Sequence, residues 1–312
     1  MSMIERVRHT EPFHRIINLS RRMVIPGFDG LSVYDVGRFF ALGIMNGAMS
    51  TRAASIAYRF FLSLFPAVLF VISVIPYVPI SGFQEGLIQL VTDPFPDDLA
   101  VFIEGTIRDV VLRQRTGLLS ATFVFSLYMA TRGVLGIIRS FDASYHDFDT
   151  HPRPLQWAVS IGLVMLFGSL LVLASIVQIA GGAVIRWLLE LGVLPGGIFS
   201  AVLYLARVSL VVLLLFLAIS SLYYWARSKG SRKRFATAGS SLATVGVLVV
   251  NAGFNFYLSN LSRWNAVFGS LGTIIVLLIW LYAASMVLLI GFELNVSISE
   301  ARSYRISDGT AD

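Results

Sequence analysis

The sequence predicts an all-α, polytopic membrane protein with six transmembrane helices, an N-terminal interfacial helix and a small external helical cap. Three observations predict it. Of 312 residues, 56% are hydrophobic and only 13% charged, whereas ordinary soluble domains carry roughly a quarter charged residues. Long apolar runs follow one another closely, and basic residues gather in alternate loops. A single soluble core could not hide this much apolar surface; lipid can.

A helix crossing the hydrocarbon needs about 20 mainly apolar residues. On that criterion the spans fall at 54–77, 117–139, 156–183, 198–225, 236–259 and 269–297. Ahead of them, the 32–50 segment places Ser32, Asp35, Arg38, Asn46 and Ser50 on about a third of a helix circumference, counting roughly 100° per residue. Phe39, Phe40, Leu42, Ile44 and Met45 cover much of the rest, the pattern of a helix lying in the membrane interface. Between the first two spans, Leu99, Phe102, Ile103, Thr106, Ile107 and Val110 recur at helical spacing beside an acidic face, which predicts the cap. The expected organisation is a cytoplasmic tail and interfacial helix over 1–52, a transmembrane domain over 53–300 with the cap at 78–116, and a cytoplasmic tail over 301–312.

Charge sets the expected orientation. The net charge is +6, and 22 of the 24 basic residues are arginine. The N-terminal segment holds Arg6, Arg8, Arg15, Arg21 and Arg22, and the 226–235 loop holds Arg227, Lys229, Arg232, Lys233 and Arg234. In the first long loop, Glu85, Asp93, Asp97, Asp98, Glu104 and Asp109 outnumber Arg108, Arg113 and Arg115. Basic loops stay cytoplasmic, so both termini are expected inside. The polar first 30 residues argue against a cleaved signal peptide. Trp157, Trp187, Trp225 and Trp264 fall at span ends, where amphipathic rings prefer to sit; only Trp280 lies mid-span.

Charges in hydrocarbon cost about 2.5–3.5 kcal/mol each on insertion scales, so they face an interior or a cavity. Arg52, Ser55, Arg59, Ser63 and Pro66 form one stripe on the first span, and Pro66 removes the backbone bond to the Leu62 carbonyl. Tyr128, Arg132, Gly136 and Arg139 share a face on the second span; Tyr282, Met286, Glu293 and Ser297 share one on the last. Glu293 is the one acidic residue in any span, which makes Arg59 or Arg132 its expected partner. Gln178, Arg207, Asn251 and Asn255 form a second group nearer the outside, able to line a vestibule. With more arginine than carboxylate, a pathway would accept an anionic small molecule or lipid headgroup. The structural alternative is that Arg59 and Arg132 snorkel to the interface and an Arg–Glu pair merely holds helices together.

Other chemistry has weaker support. With no cysteine, disulfides and thiolate catalysis are excluded. Asp142, His146, Asp147, Asp149 and His151 could bind a divalent metal, but no second cluster completes a site, and a solvated loop is favoured. The 227–234 basic run serves as a topology anchor without nucleic acid. Gly43–Gly47 and Gly133–Gly136 permit close helix approach, a weak signal. No Walker motif, nucleophile elbow or dinucleotide loop is present, so no cofactor is expected.

Two stretches carry a resemblance. One is Ala53-Ala54-Ser55-Ile56-Ala57-Tyr58-Arg59-Phe60-Phe61-Leu62-Ser63-Leu64-Phe65-Pro66. The other runs from Phe268-Gly269-Ser270-Leu271-Gly272 through Leu278-Ile279-Trp280-Leu281-Tyr282 to Gly291-Phe292-Glu293-Leu294-Asn295. Together they resemble the YihY/BrkB family of membrane proteins over most of 30–300. The resemblance implies six helices in the bacterial inner membrane and points to Ser63, Pro66, Trp280, Glu293 and Asn295. The chain departs from the family pattern at the end of the second span, where Phe141-Asp142-Ala143 replaces an Asn-containing pattern. Some members carry a ribonuclease label; metal-assisted RNA hydrolysis needs clustered His and Asp ligands, and this sequence does not assemble them.

The expected function is therefore a secondary transporter or exporter of an anionic or amphipathic small molecule, acting through Arg59, Ser63, Arg132, Arg207, Asn251, Asn255, Glu293 and Asn295, with Pro66, Trp280 and Gly291 as structural motif residues. A non-transporting envelope scaffold is the alternative, and a membrane enzyme a third. The expected partners are the bilayer and a second copy of the chain, with no nucleic acid.

Overall fold

A computed structural model describes Met23, Gly27, Phe28, and residues 30–46, 48–74, 116–142, 152–190, 198–226, 234–260 and 265–307. Among these residues the regular structure is seven α-helices: α1 Val33–Asn46, α2 Met49–Val74, α3 Thr116–Asp142, α4 Arg153–Glu190, α5 Ile198–Ala226, α6 Ala238–Asn260 and α7 Asn265–Ser307. Helices α2 to α7 fall on the six predicted spans, and α1 falls on the predicted interfacial segment. The cap segment and the 143–151 loop lie outside the described residues.

Five helices are long and apolar enough to cross a membrane among the described residues. Their surfaces are inverted relative to a soluble protein. In the apolar windows of α4 and α5, only 11% of residues are buried, and Leu171, Val172, Leu205, Val249 and Phe256 are exposed. Such continuous apolar surface needs lipid around it. At 1.5 Å per residue, the 43-residue α7 extends about 65 Å, roughly twice the hydrocarbon thickness. Hydropathy marks only its lipid-facing part; the helix continues through residues predicted as tail because Ile298 and Ala301 are buried against Leu31 and Val36.

The chain divides into two compact units, one of Met1–Ala57 with Leu135–Asp312 and the other of Tyr58–Val134. Helices α2 and α3 each pass from one unit to the other. In the larger unit α7 packs on α6 and α1, while α5 packs on α4 and α6.

Helix α1 begins with a serine N-cap. Ser32 Oγ accepts from the Asp35 amide at 3.1 Å and donates to the Asp35 carboxylate at 2.7 Å, satisfying an otherwise orphaned amide of the first turn. One face of α1 packs on α7 through Val36 and Phe39. Leu42, Ile44 and Met45 are exposed, so α1 buries only part of its apolar surface against protein, as a helix at the lipid interface does.

Helices α6 and α7 meet where neither has a side chain. A β-carbon on Gly239 would collide with the Gly291 carbonyl, and one on Gly291 would come within 2.6 Å of the Gly239 carbonyl and 2.7 Å of the Tyr223 hydroxyl. Small residues allow this approach, and dispersion contacts hold it without help from water. Beside it, Phe292 stacks on Phe141 with centroids 3.9 Å apart, and Tyr223 packs edge-on to both rings. The Tyr223 hydroxyl donates to the Leu288 carbonyl at 2.6 Å.

In the smaller unit α2 runs through Pro66 as one helix. Pro66 cannot donate a backbone hydrogen bond, but its carbonyl accepts from Ser126 Oγ of α3 at 2.5 Å. Ser63 Oγ is turned back onto the Phe60 carbonyl at 2.7 Å.

Gly291→Ala should therefore destabilise the protein by about 1–3 kcal/mol through overpacking, read as a lower thermal unfolding temperature in detergent. Gly253→Ala, on α6 and with nothing within 4 Å of the new methyl, should leave that temperature unchanged or raise it. Equal effects of the two would remove the close crossing as a source of stability.

Candidate functional site

In the larger unit, the Gly291–Asn295 segment of α7 meets α1, α3, α5 and α6. Glu293 is 4% exposed. Its carboxylate occupies the space beside Gly43 of α1, where a β-carbon would lie 2.7 Å from the carboxylate carbon. Glycine at 43 is therefore what lets the carboxylate in. From the first turn of α2, the Arg52 guanidinium feels the attraction of Glu293, and its Nη2 donates to the Ser140 carbonyl at the end of α3. Glu293 Oε2 is buried with no hydrogen-bond partner among the described residues. Three turns earlier on α7, the Tyr282 hydroxyl meets Ser50 Oγ at 3.0 Å. The start of α2 thus lies along the face of α7 that the sequence marked as polar.

Two residues beyond Glu293, Asn295 meets the α6 N-terminus. Its Oδ1 accepts from the Gly239 amide at 3.0 Å, and its Nδ2 donates to Thr237 Oγ1 at 2.9 Å. Thr237 caps α6 by accepting from the Ser240 amide at 3.1 Å, and Ser240 Oγ returns a bond from the Thr237 amide at 3.0 Å. One asparagine thus completes a helix cap on a neighbouring helix.

The second polar group predicted from sequence is dispersed. Asn251 accepts from Trp280 Nε1 at 2.9 Å, which explains a tryptophan away from the span ends: its N–H finds a partner on the next helix. Asn255 is exposed. The stem of Arg207 packs against α4, its Cδ lying 3.3 Å from a β-carbon built on Gly181. Arg207 precedes Tyr223 by 16 residues on α5, about 24 Å of helix, and Tyr223 is the α5 residue at Gly291. Arg207 and Glu293 therefore belong to separate layers. The side chain of Gln178 lies outside those described.

Arg59, Ser63, Pro66 and Arg132 belong to the smaller unit. Arg132 is exposed; its Nη1 donates to the Tyr128 hydroxyl at 3.1 Å, and its guanidinium lies 5.8 Å from that ring's centroid. Sequence reasoning placed Arg52 on the polar stripe but passed over it as a partner for Glu293. Gly43 left a faint trace as half of a small-residue pair. Asp142, read as a weak metal ligand, accepts from Gln156 Nε2 at 2.9 Å and joins the end of α3 to the start of α4; His146, Asp147, Asp149 and His151 lie outside the described residues.

The sequence profile of the family described as virulence factor BrkB matches residues 43–312. The chain belongs to this family. Among its relatives, the ribonuclease-like protein YfkH of Bacillus subtilis is 27% identical over 252 residues, 81% of this chain and 90% of its own length. A UPF0761 membrane protein of Aliivibrio salmonicida is 26% identical over 272 residues, 86% of this chain and 84% of its own. Another from Tolumonas auensis is 26% identical over 275 residues, covering 84% of each chain. No solved structure matches. With its apolar helices, this BrkB-family chain is a multi-pass membrane protein.

Asn295→Ala should lower stability by about 1–3 kcal/mol, because it orphans the buried Gly239 amide. Asn295→Asp, which keeps the acceptor, should lose less. Thermal unfolding in detergent measures both; an alanine variant as stable as wild type would exclude the cap as a structural element. Trp280→Phe should cost about 0.6–1.7 kcal/mol, the scale of interhelical hydrogen bonds in membranes, and Asn251→Ala in the same background should add little.

Proposed function

We propose that this BrkB-family protein is a secondary transporter or exporter of an anionic or amphipathic small molecule. It spans the bacterial inner membrane six times with both termini in the cytoplasm. The supporting observation is Glu293: a carboxylate buried between helices, admitted by a glycine, within the attraction of Arg52, with one oxygen lacking a hydrogen bond among the described residues. Burying such charges carries a desolvation cost of several kcal/mol per ion. Replacing a buried pair by apolar side chains is often neutral or stabilising, so a helix bundle has no need of one for stability alone. Ionisable groups in membrane helices are by default candidates for pathways of ions and substrates.

The basic 226–235 loop and the arginine-rich N-terminal segment support the orientation, and helix α2, 26 residues long, supplies the sixth span. Arg207, in its separate layer of the larger unit, marks the outer end of the same pathway.

An untargeted comparison of metabolites inside and outside cells, with and without the protein, tests this reading. At least one anionic or amphipathic compound should change its distribution, and Arg52→Gln and Glu293→Gln, accumulating to normal levels, should abolish at least nine-tenths of that change. Identical metabolite profiles with and without the protein would leave the scaffold reading in place.

A further inference from the structure

The described residues of the smaller unit, 58–74 and 116–134, contain two arginines and no acidic residue. Helices α2 and α3 pack antiparallel there. Ser126 Oγ donates to the Pro66 carbonyl at one level, and a β-carbon on Gly133 would lie 3.9 Å from Phe60 Cε1 at another. Arg59 immediately precedes Phe60, and Arg132 immediately precedes Gly133. In antiparallel helices, one step back from each contact residue turns about 100° toward the same side of the pair. Both arginines therefore spring from one level and one side. Arg59 is half-buried and Arg132 exposed, and Arg132 meets the neutral Tyr128 side chain. Each stands ten residues, about 15 Å, from the helix end where α2 starts and α3 stops. From that depth a long side chain keeps its stem in hydrocarbon and extends its charge toward the headgroups.

We propose that Arg59 and Arg132 together bind the headgroup of an anionic phospholipid. Charge at this depth is costly unless it is neutralised, and no acidic residue among the described ones of this unit does so. A guanidinium presents its N–H donors in a fork that matches phosphate oxygens. Two of them favour a headgroup of net negative charge over a zwitterionic one, whose phosphate brings its own cation. The occupant is a lipid rather than a soluble anion because the surface leading inward from both arginines is apolar. Leu62 and Leu69 on α2 and Val124 and Phe125 on α3 are exposed, and acyl chains cover such surface. The site lies within the smaller unit and does not depend on the transporter reading.

Because the chain has no cysteine, one introduced thiol can carry a single bimane label on the purified full-length protein in liposomes. Each basic side chain near an anionic lipid surface contributes roughly a factor of five. At Leu62→Cys, brominated phosphatidylglycerol should therefore reach half-maximal quenching at a mole fraction on the order of tenfold below that of brominated phosphatidylcholine. At Val172→Cys, on the exposed apolar surface of α4, the two lipids should quench alike. Arg59→Gln with Arg132→Gln should remove the preference at the first label, and the corresponding lysine pair should keep part of it. Equal quenching by both lipids at Leu62→Cys overturns the proposal, as does a preference of the same size at both labels. A preference unchanged in the double glutamine variant overturns it too; should that variant not fold, an unchanged preference in Arg132→Gln alone, at an exposed position, does so equally. Glycerol phosphate at millimolar concentration should leave the quenching in place. Displacement of the lipid by it would assign the arginines to a soluble anion and end the lipid assignment.

Discussion

Inside a bilayer no water satisfies a stray amide or carbonyl, and helices gain nothing hydrophobic by meeting one another. Close approach and complete hydrogen bonding must therefore hold them. In this protein Gly291–Asn295 supplies examples of both. Gly291 lets two backbones touch, Phe292 fills an aromatic cluster with Phe141 and Tyr223, and Asn295 caps α6. Leu294 packs with the cluster that anchors α1. Gly291 and Asn295, one turn apart, both face α6, while Phe292 meets α3 and α5 and Glu293 and Leu294 turn toward α1, because a helix turns about 100° per residue. Five consecutive positions therefore reach around the full circumference of α7.

Glycine at 291 admits no β-carbon without displacing backbone, so its substitution is steric rather than chemical. Asparagine at 295 offers an acceptor and a donor on one short side chain, which aspartate or leucine cannot match. Phe292 tolerates other apolar residues only if the stack with Phe141 is rebuilt.

The helices were legible because hydrocarbon imposes a length and a composition that a sequence displays directly. The extension of α7 to Ser307 was not, since its last turns bury Ile298 and Ala301 against protein, and hydropathy says nothing about partners there. The polar stripe on the last span was legible for the same reason as the spans: helical periodicity fixes which residues share a face. Periodicity does not fix what that face meets. Glu293 was expected to find Arg59 or Arg132; the cation within its reach is Arg52, two helical turns before Arg59 on the same stripe. Nor does a sequence show that Asn251 meets Trp280, although a mid-span tryptophan signals a buried N–H in want of an acceptor.

Of the five residues in this block, four are explained by packing and capping, and those four suffice to join α7 to its neighbours. Glu293 is the exception. A leucine or methionine there would match the surrounding surface without the desolvation cost of a buried charge, and Arg52 would keep its bond to the Ser140 carbonyl. An orphaned carboxylate oxygen makes the case sharper, since a group retained for structure would have its acceptors filled. A buried acid placed beside a cation, with a glycine that makes room for it, supports the functional reading of Glu293 proposed above over a purely architectural one.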